Sequence, residues 1–167
     1  LGVPMGSDLP PDVGGRAPRF AVSAKMDPGY SGRTGTPLQR IQIVKGWVDA
    51  QGETHEHVYD VAGDASTGLA LDRKTCQPDP AGEALLCAIW QDPDFNAHEG
   101  AFYYARVLEN STCRWSTLHC LDAGVSPFAR DCRAQADTAN AAAQARGASG
   151  DVYGACCLSP ADAPFYS

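Results

Sequence analysis

Three features of the chain predict a mainly β fold: an antiparallel, β-sandwich-like domain with one late helix, stapled by disulfides. Apolar side chains alternate at period two in several short runs, glycine and proline punctuate the intervals, and one alanine-rich run follows near the end. A mixed α+β sheet is the alternative. The missing alternation of strands with long helices argues against a doubly wound fold.

Residues 1–16 lack periodicity and read as a leading linker, residues 17–120 as the β-rich core, and residues 121–167 as a helical, cysteine-rich appendage packed on it. The first strand sets Phe20, Val22, Ala24 and Met26 on one face against Arg19, Ser23 and Lys25 on the other. The run from Leu38 to Val48 is the strand around which the chain is organised, with Ile41 and Ile43 opposite Arg40 and Gln42. Gly46 interrupts its pattern, which predicts a bulge or the close approach of another backbone. Asp49-Ala50-Gln51-Gly52 is a turn, and residues 53–61 return as the hairpin partner. Residues 84–90 and 101–109 are apolar on both faces and so predict central strands covered on both sides. Arg106 lies in the second of these and must snorkel outward or meet a carboxylate. Ser126-Pro127 fits a helix start, alanine dominates to Arg146, and Gly147 fits the far end. Cys132, Ala136, Ala139 and Ala143 fall on one narrow stripe of that helix.

The 167 residues suffice for a real core, since a chain of that size buries roughly 70% of its extended surface. A net charge of −7 and a pI near 4.9 argue against a nucleic-acid partner and an anionic membrane surface. No run approaches the ~18 apolar residues of a membrane span, so no membrane insertion is expected. The chain opens Leu1-Gly2-Val3-Pro4 without an initiator methionine and reads as a piece of something longer.

Seven cysteines without a CxxC pair favour disulfides over metal and hence an oxidising compartment, periplasmic or secreted. Cys76 and Cys87 enclose a short loop before a strand, a bridge that would contribute about 2–3 kcal/mol. Cys113, Cys120, Cys132, Cys156 and Cys157 fall in the last third, where two bridges would staple the helix to the sheet. Cys156 and Cys157 are adjacent, so each looks elsewhere, and the odd total leaves a thiol over.

Chemistry-bearing constellations are few. Glu53, His55 and His57 share one face at period two and could hold a divalent metal, against the plainer reading of a solvated outer face. Asp92, Asp94 and Asn96 have the oxygen spacing of half a calcium loop, but the loop glycine is absent and Glu99 comes too early. Ser116, His119 and Asp122 are the residue types of a hydrolase triad without a nucleophile elbow or oxyanion-hole motif. Cys87, inside an apolar strand, would be inert. Trp47, Trp90 and Trp115 are candidates for stacking a small-molecule ligand, and Asn110-Ser111-Thr112 is a glycosylation sequon. No residue is assigned a catalytic role, and no cofactor is implied apart from a divalent ion at the two places named.

Three runs in order carry a family resemblance: Pro4 to Leu9; Leu38 to Trp47 followed by Val58-Tyr59-Asp60-Val61-Ala62; and Phe102 to Asn110 with Cys113-Arg114-Trp115-Ser116-Thr117. Over about residues 1–120 the chain resembles the C-terminal part of a bacterial family named domain of unknown function 3604. Full-length members resemble the polymerase-and-histidinol-phosphatase (PHP) metal-dependent phosphoesterases in an upstream barrel, and no metal ligand of that barrel maps onto this chain. The resemblance therefore implies a non-catalytic β-rich accessory domain whose partner is the N-terminal domain of the same protein. A carbohydrate-binding module and a small metallohydrolase are the alternatives.

Overall fold

The computed structural model describes residues 2–10, 14–30, 34–72 and 75–157. Strand outweighs helix by 34% to 17%. In chain order the strands are β1 (Arg19–Lys25), β2 (Leu38–Val48), β3 (Thr54–Gly63), β4 (Leu71–Asp72), β5 (Gln77–Pro78), β6 (Leu85–Gln91) and β7 (Ala101–Glu109). Helices α1 (Trp115–Asp122) and α2 (Cys132–Gln144) follow, then a 3-10 turn, Gly154–Cys157. The chain divides into two compact units: Leu1–Gly68 with Pro80–Asn110, and Leu69–Asp79 with Ser111–Ser167.

In the first unit β2 lies between β3 and β7, and β1 pairs with β6; every pairing is antiparallel. The two sheets face each other. Leu38 and Ile41 pack with Leu86, flanked by Val22, Ala24, Met26 and Val61. Beside them is an aromatic layer in which Phe20 meets Tyr103 at 4.7 Å and Trp90 meets Tyr59 at 4.8 Å between ring centroids. The alternation read in β1 is realised, with Phe20, Val22 and Ala24 half-buried and Arg19, Ser23 and Lys25 exposed. β2 is the buried centre, as its composition requires: Ile41, Ile43 and Val44 are all but inaccessible. In the β2–β3 turn Gly52 takes φ +83, while the Asp49 carboxylate accepts the N–H groups of Gln51 and Glu53 at 2.9 Å each.

Two expectations are corrected by the structure. β6 and β7 are not covered on both faces: β6 belongs to a two-stranded sheet, β7 is an edge, and Leu85, Ile89, Phe102 and Tyr104 are exposed. An apolar run reports composition, not what lies above each face. Gly46 is not a bulge; the register shifts lie at Ile41/Gln42 and Leu38/Arg40. Its missing side chain makes room for a ring, since a Cβ there would run into Phe102. Arg106 turns outward, one of its two expected courses: it is exposed, its Nε donates to Gln42 Oε1 at 2.6 Å, and Gln42 Nε2 donates to Asp60 at 2.6 Å.

The second unit has a cross-linked interior. Cys120, Val125, Cys132, Ala136 and Cys156 form its core. The bridges are Cys76–Cys113, Cys120–Cys156 and Cys132–Cys157. Adjacent Cys156 and Cys157 thus look to two different helices, and both bridges end on the 3-10 turn instead of the sheet. Cys76 pairs with Cys113 and not with Cys87, which is free and exposed on β6; the expected inert interior position of Cys87 is likewise corrected. Helix α1 lies where no helix was expected. Helix α2 begins at Cys132, after Asp131, instead of at Pro127: the chain first makes turns in which the Ala129 N–H donates to the Ser126 carbonyl at 3.1 Å and the Cys132 N–H to the Ala129 carbonyl at 3.3 Å. Gly147 does take φ +97 beyond the end of α2.

Candidate functional site

A buried ion pair with a network of hydrogen bonds lies inside the first unit. Lys45 shares the inward face of β2 with Ile41 and Ile43, and its side chain is only 3% exposed. Its ammonium lies 2.8 Å from Asp92 Oδ2 and donates to the Asp94 carbonyl at 2.7 Å. Tyr103 donates to the same Asp92 oxygen at 2.6 Å, Tyr59 donates to the Asp94 carboxylate at 2.7 Å, and the Asp94 N–H donates to Asp92 Oδ1 at 2.9 Å. β2, β3 and β7 supply Lys45, Tyr59 and Tyr103, and the loop after β6 supplies both aspartates. A buried charge requires a partner and further hydrogen bonds, and this set provides both.

The electrostatics follow from the geometry. Burial raises the Asp92 carboxyl, but hydrogen bonds from Lys45 and Tyr103 outweigh it and hold the group below the ordinary carboxylate value. Burial pushes the Tyr59 and Tyr103 phenols up, reinforced by hydrogen bonds to Asp94 and Asp92 respectively. These shifted acidities move away from neutrality, opposite to what a proton-transferring pair needs.

A row of rings lies next to this network along β2 and β3. Trp47 stacks on His55 at 5.2 Å, His57 on Tyr59 at 4.3 Å, and the Lys45 ammonium sits 5.2 Å from the Trp47 ring centroid. His55 Nε2 lies 2.7 Å from Asp49 Oδ2, and the hydrogen bond from His55, with that from the Glu53 N–H, holds the Asp49 carboxyl below its usual range. The carboxylate that meets His55 is therefore Asp49 and not Glu53, which precedes β3.

Among the described residues no group of three or more His, Cys, Asp or Glu side chains is placed to hold a metal ion. Glu53, His55 and His57 are not gathered into one. Asp92 and Asp94 do serve a cation, but it is the Lys45 ammonium, while Asn96 donates to Glu99 at 2.9 Å and accepts the His98 N–H at 3.0 Å. On α1, Ser116 is fully buried and His119 and Asp122 are exposed, with the His119 ring 5.8 Å from that of Tyr153. Asn110 is 2% exposed and donates to the Ala81 carbonyl, so the sequon is occluded. Trp47 and Trp90 are half-buried, whereas Trp115 on α1 is 75% exposed.

Sequence reading missed Lys45, Asp49, Tyr59 and Tyr103. Lys45 left a signal: it is the one cation on the face of Ile41 and Ile43. Its partner, 47 residues away, left none.

A family model described as a protein of unknown function (DUF3604) matches residues 1–146. The chain belongs to this family. The match in this DUF3604 member extends through α2, beyond the three motifs that carry the resemblance. No curated protein and no solved structure matches the chain. The family description specifies no activity.

Proposed function

We propose that this chain is a non-catalytic β-rich accessory domain of an exported bacterial protein. Its neighbour is an N-terminal domain of the same protein, similar to the PHP-type metal-dependent phosphoesterases, whose site it shapes and stabilises. One observation carries the reading: the buried Lys45–Asp92–Tyr103 set is internally satisfied, and its shifted acidities lie away from neutral pH. The outward aliphatic strip of Leu85 and Ile89 offers the neighbouring domain a surface to cover. Three disulfides support an oxidising compartment, which we place in the periplasm or outside the cell. Among the described residues no helix is long and apolar enough to cross a membrane.

The test is an assay of the isolated chain against p-nitrophenyl phosphate and p-nitrophenyl acetate with added manganese or zinc. No turnover is expected. Turnover abolished by His55→Ala, His57→Ala or Asp92→Asn would refute the reading.

Exposed Trp115 beside Arg114 favours a second reading, a ligand-binding module with carbohydrate as the first class to try. A tryptophan emission change on ligand addition, lost in Trp115→Phe, is its signature. Among the described residues no group of His, Cys, Asp and Glu is placed to support the small metallohydrolase.

A further inference from the structure

The outward face of the three-stranded sheet carries an arrangement that neither reading uses. Phe102 and Tyr104 project from β7 on the side away from the aromatic layer, and they remain 63% and 42% exposed. Their rings are nearly parallel, 8° apart, with centroids 6.5 Å apart, about the two-residue repeat of a strand. Phe102 is laid over Gly46, where any Cβ would collide with it, and Val44, the register neighbour of Tyr104, is fully buried. The pair thus roofs β2 and turns its outer surface to water. Glu56 faces Gly46 from β3, beside the row at the level of Phe102, and Arg106 follows Tyr104 at the row's end.

We propose that this row is a binding platform for an extended β-1,4-linked glycan. Such a chain is a flat ribbon with apolar C–H faces and hydroxyls along its edges. Two parallel rings in line match its apolar faces, and a carboxylate beside the row and a guanidinium at its end match the hydroxyls. Single-stranded nucleic acid also stacks on exposed rings, but a chain of net charge −7 repels its phosphates. The proposal is independent of the accessory reading, and it places carbohydrate on residues other than Trp115.

The experiment is calorimetric titration of the oxidised full chain with cellohexaose, xylohexaose and chitohexaose. Saturable binding of at least one is expected, weakened about tenfold or more by Phe102→Ala and by Tyr104→Ala, and kept within about twofold by Tyr104→Phe. Intact mass and tryptophan emission report whether each variant folds; both side chains are largely exposed, so Tyr104→Ala serves if Phe102→Ala does not fold. No binding of any of the three at millimolar concentration would overturn the proposal. So would binding that survives both alanine variants. Binding lost only in Trp115→Ala would overturn it while leaving the second reading intact. Concentration-dependent dimerisation abolished by Phe102→Ala would also overturn it, since the face would then belong to a second copy.

Discussion

The buried centre of the first unit is Leu38, Ile41, Ile43, Val44 and Leu86, beside one lysine and one aspartate; that of the second is three cysteines, one valine and one alanine. A β surface bearing isoleucine and aromatic rings removes enough apolar area from water to hold two sheets together and enclose an ion pair. Helix α2 has chiefly alanine to bury, and each alanine contributes little. There the cross-links, which restrict the unfolded chain, take over the role that side-chain volume plays in the first unit. The same molecule therefore shows that disulfides and apolar volume substitute for one another where a segment lacks the latter.

The largest effect should come from removing the bridges that converge on the 3-10 turn. Loops of 36 and 25 residues separate their cysteines. Paired alanine replacements of Cys120 with Cys156, or of Cys132 with Cys157, should each cost about 3–4 kcal/mol. Denaturation followed by Trp115 emission, in a chain with Trp47 and Trp90 replaced by phenylalanine, reads this unit alone. A loss below about 1 kcal/mol would break the comparison.

In the first unit, Asp92→Ala strands the Lys45 ammonium and should cost about 3–5 kcal/mol, more than the double change Lys45→Met with Asp92→Leu. Urea denaturation followed by Trp90 emission measures both. The Asp92 acidity supplies a sign: its folded value lies below the unfolded one, so its stabilisation is present above about pH 4 and is lost as pH falls further. Tyr59 and Tyr103 act at the other end. Their folded values lie above the unfolded one, so their contribution is full below about pH 10 and is lost as pH climbs past it. The first unit should weaken at both extremes, and in the Asp92→Asn chain the acid limb should shrink.

Smaller effects sharpen the contrast. Asn140 Oδ1 accepts the N–H groups of Val152 and Tyr153 at 2.9 and 3.0 Å, so Asn140→Ala leaves two donors short and should cost about 1–3 kcal/mol in the second unit. Gly46→Ala pushes only an exposed ring aside, and its effect on urea stability should stay under about 1 kcal/mol.

Legibility in the sequence divided along the same line. Period-two alternation exposed β1 and the β2–β3 hairpin, because a half-buried strand writes its environment into its own residues. Alanine content exposed α2. Helix α1 left no such mark: Trp115 lies outward, no side chain caps its start, and its buried positions are Ser116, Thr117 and Cys120. The partners of Cys76 and Lys45 are set by tertiary proximity, which spacing does not encode. The two-sided cover expected for β6 and β7 is missing because apolar residues there face outward, and a run of apolar side chains does not record which of them meet the core.

Hydrogen exchange of the whole chain, oxidised and then fully reduced, tests most directly whether the two units are stabilised by different means. Reduction is expected to strip protection from α1, α2 and the Gly154–Cys157 turn while the amides of β1, β2, β3, β6 and β7 stay protected. Protection that survives reduction in α2, or that collapses in both units together, would contradict the account.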